Sequence, residues 1–357
     1  HRKPYWGINQ FHFNTFKLNE YLHRLCIERG VGIIKAEVDI INLREDGSVG
    51  SLRTTAGQIL DYDFYVDSTG FHRLILEKTL KTKWLSYGKY LPMNSAIAFP
   101  TERTEHIDSY TISRAMNAGW LWRIPTQNRH GNGYVFNDNF INFDQAQTEV
   151  ERLYGSKIQV AKKIKFDAGM LEKSWVKNCV AIGLSSSFVE PLEASSIGTS
   201  IQQAFLLGRL INSYVPFSNY CENIFNQNSK ELVENIFDFV QLHYVTRRRD
   251  TEFWRSTEEL IMTPGLEEKL DLYNYKMPSI SDFSNRQVLF KEANWILVMH
   301  CLGLIKKEVA IKDLAEQPDH VIDNLTHNLY RVINLPEGEQ LVDHRTALQW
   351  LIDNPEV

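Results

Sequence analysis

The 357-residue sequence lacks the patterns that announce several common chemistries. Its four cysteines, Cys26, Cys179, Cys221 and Cys301, lie far apart with no C-x-x-C pair. That spacing builds neither a zinc site nor a disulfide framework, and it points to reduced thiols in a cytoplasmic compartment. The eleven histidines show no H-x-x-x-H or H-E-x-x-H spacing, so no metal site is expected. No G-x-G-x-x-G occurs, since Gly131-Asn132-Gly133 continues into Tyr134-Val135 and Gly47 and Gly50 stand in a hairpin. Ser185-Ser186-Ser187 has no nucleophile-elbow pattern, which leaves hydrolase chemistry without a candidate. A basic surplus is missing too. The net charge of −5 gives nucleic acid no electrostatic footing, and Arg247-Arg248-Arg249 beside Asp250 reads as a solvated helix face. The longest apolar run, Trp295 to Ile305, carries His300 and Gly303. It is shorter than the roughly 18–20 residues that cross a bilayer, so no membrane partner is expected. No signal-peptide pattern is read at the start.

What is present is the balance of a soluble globular protein, 43% hydrophobic and 23% charged. The length predicts two or three structural units. An aromatic content of 12% fits either packed cores or a planar ligand. Periodicity predicts an amphipathic helix over Thr15–Arg29, capped by Asn14 or Thr15 and stopped by Gly30. A β-rich stretch follows: Val31–Glu37, Val38–Leu43, a turn at Arg44–Ser48, then Val49–Arg53 and Gln58–Leu60. The apolar run Asp63–Asp67 breaks into Ser68-Thr69-Gly70, the kind of strand end where an α/β fold places ligand loops. Met93–Phe143 reads as strands of a second sheet, two of them joined by a Gly131-Asn132-Gly133 turn, and a helix follows over about Asp144–Tyr154. Cys179–Gly183 reads as a buried strand that leads through a serine-rich loop to a helix ending near Val215. From Lys230 onward the chain reads as mostly helical, broken at Pro264, Pro278 and Pro336.

Two segments are placed to do chemistry. Between Cys179 and Gly198, a strand, a small-residue loop and a helix start gather free backbone N–H groups at the positive end of a helix. Such a cluster binds an anion or the electron-rich edge of a cofactor ring. Glu190 and Glu193 stand at the same turn, either to cap the helix or to point into a pocket. In Gly119-Trp120-Leu121-Trp122-Arg123-Ile124-Pro125, tryptophans two apart share one face of a strand and form an aromatic wall. Spacing alone fits a core wall and a platform beside a planar ligand equally.

These segments together resemble the flavin-dependent halogenases of the tryptophan halogenase family. Residues 119–125 resemble that family's G-W-x-W-x-I-P signature, and Phe188–Ile197 resembles its F-V-E-P-L-E-S-T-G-I block. His12-Phe13-Asn14 is similar to its H-F-D and Val66–Phe71 to its D-C-T-G-F strand end. Leu242-His243-Tyr244 with Asp250, Phe253, Trp254 and Arg255 is similar to its L-H-Y…D-x-x-F-W-R helix. The resemblance implies a flavin-monooxygenase-like α/β FAD-binding fold with an added substrate-side sheet and a helical C-terminal region. It implies FAD used as FADH2, O2 and halide ion, with halide attacking a flavin hydroperoxide to give hypohalous acid. That acid would reach an indole- or phenol-like aromatic substrate, and a separate flavin reductase would supply the reduced FAD. By position, Glu193 matches the catalytic glutamate on the substrate side, and Ser195 and Ser196 match the pair whose N–H groups hold halide. Leu184 and Ile197 match flavin-contacting backbone, Val38 the adenine end, and Trp120 and Trp122 the barrier between substrate and flavin.

The departures carry expectations of their own. The family's first βαβ unit and its lysine precede the first matched motif, and Lys3, Lys17 and Lys35 do not stand in that lysine's context, so the chain reads as an N-terminally incomplete copy. Ala194 replaces a serine, and Ser196 replaces a glycine whose backbone freedom is lost. No match to the aromatic box of the tryptophan-specific members is found, which favours a different or broader aromatic substrate. The domain reading places residues 1–92 and 171–215 in the FAD domain, 93–170 in the substrate-side sheet and 216–357 in a helical substrate region. An FAD-dependent aromatic monooxygenase and a non-catalytic flavin-binding protein are the alternatives. A homo-oligomer is left open.

Overall fold

The computed structural model describes residues 12–104, 108–212, 218–283, 285, 287–333, 346, 349, 350 and 353. Its chain divides into two compact units. One comprises residues 1–35, 95–164 and 340–357, the other residues 36–94 and 165–339. In chain order the first elements are α1 (Thr15–Glu28), β1 (Val38–Leu43), β2 (Val49–Thr54), β3 (Ile59–Asp61), β4 (Tyr65–Asp67) and β5 (Trp84–Ser86). Next come β6 (Ser95–Glu102), β7 (Ile112–Met116), β8 (Gly119–Pro125), β9 (Arg129–Phe136), α2 (Phe143–Tyr154) and β10 (Lys162–Lys165). Short strands β11 (Gly169–Leu171), β12 (Trp175–Val176), β13 (Cys179–Ala181) and β14 (Ser187–Phe188) precede α3 (Ser195–Ile211) and α4 (Asn219–Leu242). Helices α5 (Glu252–Ser256), α6 (Pro264–Leu272), α7 (Glu292–Leu302), α8 (Lys307–Ala315) and α9 (Asp319–Ile333) complete the described chain. No described helix is long and apolar enough to cross a membrane.

In the first unit, α1 starts as its cap predicts, with the Asn14 carboxamide accepting from the Phe16 N–H at 3.0 Å. The sheet runs β10-β6-β9-β8-β7 with antiparallel pairing of β6, β7, β8 and β9. Side chains alternate across it. Leu121, Tyr134 and Phe136 join Ala146 and Val150 of α2 in one core, while Trp120 and Trp122 between them occupy the other face, rings 5.9 Å apart. The expected Gly131-Asn132-Gly133 turn is corrected here, because all three residues lie inside β9. The hairpin turns instead at Gln127-Asn128, where the Thr126 N–H donates to the Arg129 carbonyl at 3.0 Å. Gly133 is glycine for packing, not for turning. It faces Trp122 across the ladder, and a Cβ there would come within 2.0 Å of the indole ring.

The second unit is built around β13. It pairs with β4 in parallel, Val180 opposite Val66, and with β12 antiparallel. Cys179 and Ala181 face a core with Val49, Tyr65 and Leu76, while Val180 faces the opposite core with Trp175, Leu206 and Phe225. Burial on both faces explains why this strand reads as a continuous apolar run. Burial first, and the Asp67 charge next, push the Cys179 thiol above its ordinary range, the state of an inert core thiol. A β1-β2-β3 meander and a β14-β11-β5 sheet flank it in sequence.

Four further expectations change. Val31–Glu37 forms no strand: its ends are tied singly, the Val31 N–H to the Cys26 carbonyl and the Glu37 carbonyl to the Thr55 N–H, both at 2.9 Å, and Val31 and Ile34 are about half exposed, at 53% and 47%. Helix α4 begins at Asn219, well before Lys230, with Ser218 capping the Cys221 N–H. Pro264 opens α6 at its first turn behind the Thr263 cap, where a missing N–H costs nothing. Arg247-Arg248-Arg249 lies in irregular chain after α4, Arg248 being gripped bidentately by Asp250 at 2.6 and 2.8 Å. The L-H-Y…F-W-R motif therefore spans the end of α4 and the separate helix α5. Val215 and Pro336 lie outside the described residues.

The Gly133–Trp122 contact gives a test of packing. Gly133→Val is expected to lower stability by about 1–3 kcal/mol through overpacking. The loss should shrink in a Trp122→Ala background when thermal unfolding is measured as a double-mutant cycle.

Candidate functional site

Parallel pairing of β4 and β13 brings their carboxyl ends to the same edge, the position where open α/β sheets bind ligands. From β4 the chain passes into Ser68-Thr69-Gly70, and from β13 into a tight turn at Gly183–Ser185. Asp67 holds the first of these loops. Its buried carboxylate accepts from the Thr69 N–H and hydroxyl at 3.1 and 2.7 Å, and from the Ile75 and Leu76 N–H groups at 2.8 and 3.1 Å. Ser185 Oγ donates to the Gly70 carbonyl at 3.3 Å and joins the two loops.

Helix α3 starts beside the second loop. Gln203, 1% exposed, accepts from the Gly183 N–H at 2.9 Å and donates to Ser186 Oγ at 2.8 Å, which fixes the helix against the β13 turn. The turn is also sterically locked, since a Cβ on Gly183 (φ +63°) would meet Ser200 Oγ at 2.8 Å. Leu184 sits in this turn, and Ser195, Ser196 and Ile197 form the first turn of α3. Leu184 therefore lies in the turn to which Gln203 ties α3, and the other three open that helix. Ser195 is buried, whereas Ile197 is 49% exposed and shares one helix face with exposed Ile201 and Phe205. N–H groups in a first helical turn have no partner within the helix, so Ser195 and Ser196 present donors at its positive end. Val38 stands elsewhere, at the start of the meander opposite Thr54. Trp120 and Trp122 belong to the other unit.

Glu193 does not cap α3. The residue at the cap position is Ala194, whose side chain makes no capping bond. The Glu193 carboxylate instead meets His243, Oε1 to Nε2 at 3.0 Å, and three residues earlier the buried Glu190 accepts from the Tyr244 hydroxyl at 2.5 Å. Two neighbouring carboxylates therefore bind two neighbouring residues just past the end of α4. Between these clasps and α3 the backbone is left-handed at two successive non-glycine positions, Glu193 at φ 65° and Ala194 at φ 49°. Each such residue costs on the order of 1–2 kcal/mol, so the surroundings must hold it there. His243, Tyr244 and Gln203 received no role in the sequence reading. The signal was in hand for two of them, since Leu242-His243-Tyr244 is part of a matched motif.

Replacing Ala194 by glycine tests that strain. Ala194→Gly is expected to stabilise the protein by about 1 kcal/mol in urea unfolding, where an ordinary Ala→Gly change destabilises.

The chain is similar to known proteins along most of its length. Residues 8–317 match the family model for tryptophan halogenases. Tryptophan 7-halogenase RebH of Lentzea aerocolonigenes is 30% identical over 319 residues, covering 83% of this chain and 59% of that protein. Tryptophan 6-halogenase ThaL of Streptomyces albogriseolus is 31% identical over 275 residues, 75% of this chain and 52% of its own length. The solved structure of BrvH, a flavin-dependent halogenase from Brevundimonas sp. BAL3, superposes with a TM-score of 0.85 at 29% identity. That likeness covers 95% of this chain and 69% of BrvH, and it carries the mixed α/β architecture with its helical C-terminal region. The chain spans a little over half the length of these curated relatives. On the family match across most of its residues, and on relatives at this identity, the chain belongs to the tryptophan halogenase family.

Proposed function

We propose that this chain carries out FADH2-dependent halogenation of a small aromatic substrate, indole- or phenol-like, through hypohalous acid. One observation carries the proposal: Glu193 turns to His243 only two residues before the Ser195–Ser196 start of a helix that Gln203 ties to the turn after the parallel strand β13. FAD suits the residues present, because the strand-end turns and the first turn of α3 offer backbone donors beside the exposed apolar Ile197. When bound, reduced FAD would supply two electrons that bring O2 to the peroxide level, and oxygen at that level would take two more from halide to give hypohalous acid and water.

The chain's own residues do the rest. The Ser195 and Ser196 N–H groups hold the halide anion at the positive helix end, a task that needs no particular side chain. Backbone at Leu184 and Ile197 borders the flavin, and Val38 lies toward the adenine end. Glu193 faces the aromatic ring. Electrophilic substitution builds positive charge on that ring, and a fixed carboxylate stabilises it where it develops. The barrier role falls to Trp120 and Trp122. Segments 1–92 and 171–215 form the flavin side, 93–170 the substrate-side sheet and 216–357 the helical substrate region. A separate flavin reductase supplies reduced FAD in a cytoplasmic setting.

The test is product mass spectrometry with a flavin reductase, FAD, NADH, O2, bromide and a panel of indoles and phenols. A bromine isotope doublet is expected on product from the wild type. Glu193→Gln should lower that yield by about 100-fold or more while FAD is still bound. Hydroxylated product without bromine would overturn the proposal in favour of a monooxygenase.

A further inference from the structure

The contact between Glu193 and His243 needs one more proton than its two partners hold in their ordinary neutral-pH forms. His243 Nδ1 lies 2.9 Å from the Phe239 carbonyl oxygen, one helical turn back. A carbonyl only accepts, so Nδ1 carries hydrogen. The other ring nitrogen, Nε2, lies 3.0 Å from Glu193 Oε1. A neutral imidazole has a single N–H, already given to Phe239, and an ionised carboxylate has none to give. Without a further proton, two lone pairs would face each other at hydrogen-bond distance. Flipping the ring removes both bonds, because carbon atoms would then face both oxygens. The ring is also seated edge-on against Phe239, centroids 5.1 Å apart at 89°. Both bonds exist together only when a proton lies between Nε2 and Oε1, on one atom or the other.

On the same two segments Glu190 is taken by Tyr244, Arg248 by Asp250 and Arg249 by Glu258. Arg247, four residues beyond His243, and Arg255 are the other cations of the stretch. The carboxylate side chain is 36% exposed and the imidazole 21%, so the pair is sheltered yet open to a ligand.

Building on the halogenation reading, we propose that Glu193 and His243 share a single mobile proton that serves the reaction, with His243 as the positioning residue that keeps it at Glu193. As the ring carbon bonds to halogen, the O–X bond of hypohalous acid breaks with its electron pair on oxygen. The shared proton goes to that oxygen, and water leaves. The ring then recovers its electrons from the C–H bond, and that proton passes to Glu193, so the pair ends as it began. Losing the proton at high pH removes the donor. Binding a second one at low pH removes the acceptor, and the rate profile has two limbs.

Two measurements on the full chain test this. In protein with labelled histidine and glutamate, the His243 ring nitrogens and the Glu193 carboxyl carbon are read by NMR at neutral pH, with His243→Gln and Glu193→Gln providing assignments. One of the two groups should be protonated; a neutral imidazole beside an ionised Glu193 would overturn the proposal. In the bromination assay, His243→Gln still offers Glu193 a donor but cannot exchange a proton at this pH. Its kcat should fall by about 100-fold, with KM for the aromatic unchanged and the alkaline limb gone. Wild-type kcat with both limbs in that variant would overturn the proposal. If the wild type brominates nothing, the functional reading fails by itself, and the NMR shifts still decide where the proton is.

Discussion

The direction in which α3 begins is set by two left-handed residues, Glu193 and Ala194, and much of the site follows from them. Left-handed backbone at non-glycine positions is unfavourable, so the chain adopts it only where neighbours leave no alternative. Here the neighbours are the Glu190–Tyr244 and Glu193–His243 contacts on one side and the Gln203 bridge to Gly183 and Ser186 on the other. The turn they enforce sends the Glu193 carboxylate away from the helix end. Had that carboxylate capped α3, it would have placed negative charge at the helix start proposed to hold halide.

The two ends of the site thus differ in electrostatic character within a few residues. At the start of α3, backbone donors and the helix dipole favour a small anion. At Glu193, the carboxylate favours a centre becoming positive. Halogenation of an aromatic ring calls for both, a halide held for oxidation and a cationic ring stabilised during substitution. The strand ends supply the rigid base. Asp67 is buried with four donors converging on it, none of them charged, which fixes the β4 loop.

A good part of this was legible in the sequence. Elements whose signals are local came out close to their observed limits, such as α1 behind its Asn14 cap and α2 with the reciprocal Asn142–Gln145 capping box. The run at Cys179 read as a buried strand because both of its faces are covered. What the sequence hid depended on partners distant in the chain. Gly131-Asn132-Gly133 has turn composition, yet Gly133 is required by an indole on the neighbouring strand. Val31–Glu37 has strand composition, yet among the described residues it is tied only at its ends and pairs in no ladder. Leu184, Glu193, Ser195, Ser196 and Ile197 were named from their motif, and the structure shows where they lie; the Gln203 bridge was not foreseen because nothing local distinguishes it from a surface amide, and the His243 contact was not foreseen although its motif was matched.

The central claim is that this helix start, separated from Glu193 by one strained turn, is the halide seat. Anomalous diffraction from crystals of the FAD-bound protein soaked in bromide tests it most directly. The account predicts a bromide peak within hydrogen-bond distance of the Ser195 and Ser196 nitrogens. Bromide found only at other positions, with that helix start unoccupied, would contradict it.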